Sequence, residues 1–259
     1  RAFQRIVEAR DVTPEDRVYT SWSRADEAGN PHNLRPVPTI GAVDVTAHEL
    51  SRFLPGATLL AGHDPGRICD ATILLKAYRF PNEREPVWFV VGEVTTERST
   101  TEAHGRALID FVKKRWGDHR SVLVHIDPHS NGAENDDDRP GKSVTTTLVS
   151  LGLTVRQAAY QVGSTAPGRI GREERVDMVN TLLCNAIGLR RLFVACDAHK
   201  QPAAPKLVEA FERLERDAAG KVDRGKKGVG DMTHWPAALG YALWKIEKPR
   251  LDVGMRRGG

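Results

Sequence analysis

Long apolar runs are missing from this chain of 259 residues. No stretch approaches the ~20 residues that cross a bilayer as a helix. The N-terminus also lacks the charged-then-apolar pattern of a targeting peptide, so no membrane is expected among its partners. Cysteine is scarce. Cys69, Cys184 and Cys196 make three, an odd number, and no two stand in CxxC spacing. This argues against a disulfide framework or a cysteine zinc site and suits small core residues in a reducing cytoplasm. A strong charge of one sign is lacking too, because 38 Lys+Arg against 34 Asp+Glu leave only +4. Such a balance permits contact with a polyanion without demanding it. What is present is ordinary for a globular protein, 40% hydrophobic and 28% charged residues, in a chain long enough to bury a full core. Its first residue is Arg1 rather than methionine, as expected of a piece of a longer chain.

One glycine is missing where it would matter. The stretch "SVLVHIDPHSNGAENDDDRPGKS" runs from a buried strand into a loop that ends in Gly141, Lys142 and Ser143, the tail of a phosphate-binding loop. A Walker A loop needs another glycine five positions before Gly141, and that position holds Asp136. Asp136, Asp137 and Asp138 would also repel a triphosphate. Lys142 and Ser143 therefore read as the start of a helix. A calcium loop is imitated by Asp127, Asn131, Gly132 and Asp138, but His129 takes a ligand position and a strand precedes it, so that reading fails. The 128–141 loop is expected as a DNA-adjacent flap beside a metal site, with a solvated loop without a role as the alternative.

Residues 1–56 mix polar, Pro and Gly residues and read as a linker or approach segment, with a short capped helix in "TAHELSRFL". From there the pattern is regular, and 57–259 reads as one domain. "TLLAGHD", "ATILLKAYRF" and "VWFVVGEVT" are too closely spaced for parallel crossovers and predict an antiparallel meander. "TEAHGRALIDFVKKRWG" follows as a helix with Ala103, Ala107, Phe111 and Trp116 at helical spacing, and then "SVLVHID" as a parallel strand. "KSVTTTLVSLG" predicts a helix, "LTVRQAA" a strand, "REERVDMVNTLLCNAIG" a helix and "RLFVACD" a strand. "APKLVEAFERLERDAAG" and "DMTHWPAALGYALWKIEK" predict the closing helices. The expected fold is α/β, a mixed sheet of an antiparallel meander plus parallel strands, flanked by helices.

Polar groups that end buried strands are the candidates for chemistry in such a sheet. Asp64 ends the first strand in "GHDPG", Asp127 ends the fourth in "HIDPH", and Asp231 opens the last helix. If the first and fourth strands are neighbours, Asp64 and Asp127 face one another and the last helix can bring Asp231 alongside. Converging carboxylates repel, and a divalent ion with a preference for hard oxygen ligands removes the problem. Two such ions ~3.5–4 Å apart form a clamp for phosphodiester hydrolysis. Asp70 and His234 stand as auxiliary ligands. Each acid also has an ordinary reading, a turn former at a strand end or, for Asp231, a helix N-cap. Glu93, inside the third strand, reads as a face-exposed acid.

This order of acids and elements resembles the ribonuclease-H-like nucleases. Within them, "RIGREERVDMVNTLL", a strand and "GDMTHWPAALGYALW" resemble the nuclease domain of tailed-phage large terminase subunits. That family's last helix typically reads D-x-x-H-x-x-D-A-hydrophobic-x-Tyr. Here the positions hold Asp231, His234, Ala237, Ala238, Leu239 and Tyr241, with Ala237 in place of the second acid. The resemblance covers roughly residues 58 to 248 in order and pattern. It implies a metal-dependent endonuclease that cuts double-stranded DNA during viral genome packaging, with Asp64, Asp127 and Asp231 holding two Mg²⁺ or Mn²⁺ ions and Asp70 a peripheral fourth acid. It also implies an N-terminal ATPase motor in the same polypeptide, a portal and a small terminase subunit as partners, and the host cell cytoplasm as location.

For DNA, "KVDRGKKGVG" places Arg224, Lys226 and Lys227 directly before Asp231, where they can neutralise phosphates without reading bases. Arg169, Arg172 and Arg175 cluster at a helix start, where cations oppose the dipole and an external anion would relieve them. Solvated charged surface is the plain alternative for both, and Trp235 and Tyr241 read as core. The rival functions are a junction-resolvase or transposase-like nuclease of the same fold and a non-catalytic DNA-binding module.

Overall fold

The computed structural model describes residues 17–37, 43–44, 56–66, 69–80, 85–127, 143–157, 171–223 and 232–257, with 43–44 and 248–257 as backbone alone. The short helix expected in "TAHELSRFL" and the whole 128–141 loop lie outside the described residues. In chain order the elements are β1 Leu34–Arg35, β2 Val43–Asp44, β3 Leu59–Asp64, β4 Cys69–Arg79, β5 Val87–Glu97, α1 Thr101–Trp116 and β6 Val122–Ile126. They continue with α2 Val144–Ser150, β7 Thr154–Gln157, α3 Arg172–Leu183, β8 Leu192–Ala195, α4 Pro205–Arg213 and α5 His234–Arg257. The strands form one mixed sheet in the order β1-β8-β5-β4-β3-β6-β7, with β2 pairing antiparallel to the end of β4.

β3, β4 and β5 form the expected antiparallel meander, and β6 returns parallel to β3 after the α1 crossover. β7 continues the parallel run beyond β6, while β8 and β1 extend the other edge in parallel. Side chains alternate along each strand, so two cores result. Leu60, Ile73, Leu75, Trp88 and Leu123 face α3, α4 and α5, which contribute Val179, Phe211 and Leu239 among others. Leu59, Ala61, Leu74, Phe89 and Val124 face α1 and α2, which contribute Leu108, Val112 and Leu148.

Helix α5 rests directly on β3. A Cβ on Gly62 would lie 1.8 Å from the Ala238 carbonyl oxygen and 2.8 Å from the Ala242 nitrogen, so only glycine lets the helix rest there. His125, paired with Gly62 across the β3–β6 ladder, donates from Nδ1 to the Ala242 carbonyl at 3.0 Å. Farther along, the buried Glu247 of α5 accepts from Trp88 Nε1 at 2.7 Å and from Arg191 at 2.9 Å. One helix is thereby tied to β6, β5 and the residue before β8.

Three expectations change. Residues 17–37, expected in the approach segment, are part of the same core: Val18, Tyr19, Trp22 and Leu34 are buried in it, and β1 pairs with β8. Helix α1 buries Thr101, His104, Gly105, Leu108, Ile109 and Val112, a face rotated from the one expected, and leaves Ala103 exposed. The buried polar His104 explains the rotation, because it bonds Thr72 and Thr96 on the sheet at 2.8 Å each. Helix α4 stops at Arg213 rather than running to Gly220, because the chain leaves it to pair Glu215 with Arg17 and Arg216 with Val222.

Candidate active site

Alternation and register decide which acids meet. On β3 the residues facing α5 are Leu60, Gly62 and Asp64; on β6 and its continuation they are Leu123, His125 and Asp127. The parallel ladder pairs Gly62 with His125 and His63 with Ile126, so the next step puts Asp64 beside Asp127 at the C-terminal ends of two central strands. The neighbourhood of the first and fourth strands, needed for the two acids to face one another, is therefore present.

Helix α5 then supplies a partner for each acid. His234 and Tyr241 are seven residues apart and share one helix face. His234 Nδ1 lies 2.6 Å from Asp64 Oδ2; with Asp64 ionised, the proton sits on Nδ1 and the bond is charge-assisted. Tyr241 donates its hydroxyl to Asp127 Oδ2 at 2.7 Å. Its ring is buried and stacked under the Arg175 guanidinium of α3, 4.4 Å from the ring centroid. Burial pushes the Asp64 carboxyl above the ordinary carboxylate range, and the Asp127 charge adds to this against the pull of His234 and Arg175. Burial likewise raises the Tyr241 hydroxyl, so it remains a donor.

The turn after β3 is built around the same histidine. A Cβ on Gly66 would come within 2.8 Å of the His234 ring, so glycine there makes room for it. The Gly66 N–H donates to Asp70 Oδ1 at 2.9 Å. Asp70 is buried on β4, where its ladder partner Thr96 faces α1, the side away from Asp64. The expected fourth acid therefore holds the turn and lies on the other face of the sheet. Glu93 is neither exposed nor in the cluster, since its carboxylate accepts from the Lys206 and Leu207 N–H groups and caps α4.

Asp231, Arg169, Arg224, Lys226 and Lys227 fall outside the described residues. Arg172 opens α3, half-buried. Among the described residues no group of three or more His, Cys, Asp or Glu is arranged to hold a metal ion. The two carboxylates, with the imidazole bonded to Asp64, are donors of a type that suits a divalent ion. Ser143 caps α2 through the Thr146 N–H at 3.2 Å, so the false phosphate loop ends as a helix start.

No family model matches the sequence, and no curated protein matches it. Among solved structures, the chain is similar to the P22 large terminase nuclease domain, with a TM-score of 0.54 and 13% identity over 88% of this chain and 91% of that one. The fold is that of the P22 large terminase nuclease domain. Two further structures match with lower scores. The g2p (large terminase) nuclease domain from the bacteriophage SPP1, with bound Mn, has a TM-score of 0.40 and 16% identity over 77% of this chain and 91% of that one. Thermus thermophilus RuvC has a TM-score of 0.28 and 9% identity over 75% and 97%.

Asp64, Asp127 and His234, singled out in the sequence, lie together here, and Tyr241, expected as core, also bonds Asp127. The signal for Tyr241 was its place two turns after His234. The sequence marked Arg175 as one of a cationic cluster at a helix start, and only the crossing of α3 and α5 brings it to Tyr241.

Proposed function

We infer that the chain is a metal-dependent endonuclease that cleaves double-stranded DNA by two-metal-ion phosphodiester hydrolysis, in the packaging of a viral genome. The observation that carries this is the pair Asp64 and Asp127, side by side at the ends of parallel strands and each held by a donor from α5. Support also comes from the shared fold with the P22 large terminase nuclease domain. Asp64, Asp127 and Asp231 are the ligand set of this reading, with His234 beside them. Divalent ions bound there supply an activated water and charge stabilisation of the leaving oxygen. His234 and Tyr241 fix the rotamers of the two carboxylates, so each acid presents its remaining oxygen lone pairs in one direction. Arg224, Lys226, Lys227, Arg169 and Arg172 neutralise phosphates along the duplex. An ATPase motor in the same polypeptide, a portal and a small terminase subunit are the proposed partners.

The test is nicking of supercoiled plasmid in Mn²⁺ and Mg²⁺ by wild type and Asp127→Ala, with circular dichroism as the folding control. Wild-type cutting that disappears in the folded variant is expected. Intact plasmid across pH and salt would sink the nuclease reading, and preference for a four-way junction over linear duplex would replace packaging with junction resolution.

A further inference from the structure

We propose that Arg175 is a nucleic-acid contact at the acid pair, a guanidinium held in place to receive a backbone phosphodiester beside the cleaved bond. The proposal rests on the nuclease reading for its substrate and on separate geometry for its residue. Three observations converge on it. The stem of Arg175 lies across Gly240, where a Cβ would stand 2.9 Å from its Cδ and 3.3 Å from its Cβ. The guanidinium lies over Tyr241, whose hydroxyl is bonded to Asp127. Among the described residues the guanidinium has no carboxylate within ion-pair distance and no hydrogen-bond acceptor, although other arginines here are satisfied by Glu212, Glu247 or Glu173.

An arginine with five N–H donors and no acceptor among the described residues, fixed at both stem and head, is prepared for an oxyanion from outside. Stacking on the ring fixes the plane of the guanidinium and keeps its N–H edges open for a bidentate phosphate contact. The neighbouring acids do not take it: its charge reaches Asp64 only through space, lowering that carboxyl without a bond. A cation there can hold the anionic backbone at a site whose own carboxylates would repel it, and positioning of this kind is a large part of phosphoryl chemistry. Position 240 needs glycine for the same reason, since a methyl there would occupy the path of the arginine stem.

The test measures fluorescence anisotropy of a labelled blunt duplex across a salt series, in Ca²⁺ so that binding is read without cutting. Arg175→Gln is expected to weaken binding roughly tenfold and to reduce the slope of log K against log[salt] by about 1, the share of one phosphate contact. Arg175→Lys keeps the charge and loses the stack, and falls between. Gly240→Ala leaves the charge in the chain, favours the helix and displaces the arginine, so it moves affinity in the same direction. It also carries the test if Arg175→Gln fails to fold. Wild-type affinity and salt slope in both variants overturn the proposal. So does tighter Mn²⁺ binding in Arg175→Gln with DNA affinity unchanged, which marks a counter-charge for the acids only. Wild type that binds duplex through Arg175 yet leaves it uncut in Mn²⁺ overturns the nuclease reading and leaves this contact standing; wild type that binds no duplex overturns the contact.

Discussion

Gly62→Ala tests the seat on which the site depends. The added Cβ would meet the Ala238 carbonyl oxygen at 1.8 Å and the Ala242 nitrogen at 2.8 Å, both backbone atoms of α5. Carbon–oxygen contacts settle near 3.3 Å, so the helix must retreat by about 1.5 Å, since no side-chain rotation relieves the clash. Overpacking costs about 1–3 kcal/mol where neighbours can yield, and a rigid helix backbone puts this case at or above about 3 kcal/mol. With a urea slope of about 3 kcal/mol/M for a chain of this size, the unfolding midpoint falls by about 1 M. Buried Trp88 and Trp235 report the transition by fluorescence. The retreat also carries His234 and Tyr241 away from Asp64 and Asp127, and a misplacement on the order of 1 Å lowers cutting by about 100-fold. A midpoint within about 0.2 M of wild type, at unchanged slope, refutes the reasoning.

Tyr241→Phe keeps the ring under Arg175 but removes the donor on Asp127, at a cost of about 1–2 kcal/mol in urea unfolding and about tenfold in plasmid nicking. Equal nicking would separate the hydroxyl from the chemistry. Glu247→Ala leaves the Trp88 N–H without its buried acceptor and Arg191 with only Glu85 and the Pro86 carbonyl, and about 2–4 kcal/mol is lost in chemical denaturation. His63, His104 and His125 are buried as neutral rings; burial lowers His104 and His125 to about 4, and His63 well below the ordinary 6.5. Their folded values lie below the unfolded ones, so their contribution is complete above about 6.5 and is lost as pH falls toward 4. Urea midpoints should drop over that range, and His104→Asn, which cannot titrate, should flatten part of the drop.

Much of the frame was legible in the chain. Apolar runs with β-branched residues marked the meander, and their close spacing left only antiparallel pairing. The long connection before "SVLVHID" marked a crossover and a parallel strand. Ser143 was recognisable as a helix start once Asp136 had removed the phosphate loop. Other features were not legible because they depend on what packs where. His104 turns α1 by reaching Thr96 at the end of the preceding strand and Thr72 on the strand beside it, and only their pairing in the sheet puts both under one ring. Glu93 finds the start of α4 more than a hundred residues later.

The sequence by itself determined that Asp64 and Asp127 end buried strands, because each follows a short continuous apolar run, and that signal is local. It also determined that His234 and Tyr241 share a helix face, because helical periodicity is local. Only the tertiary structure decided that the two pairs meet. The parallel register sets the acids side by side, and Gly62 lets α5 lie close enough to reach them. The same structure decided that Asp70 stays outside the pair and that Arg175 comes to it. A side chain's face is set by its nearest neighbours in the chain, but its partner is set by strand order and helix crossing, which involve residues a hundred positions away.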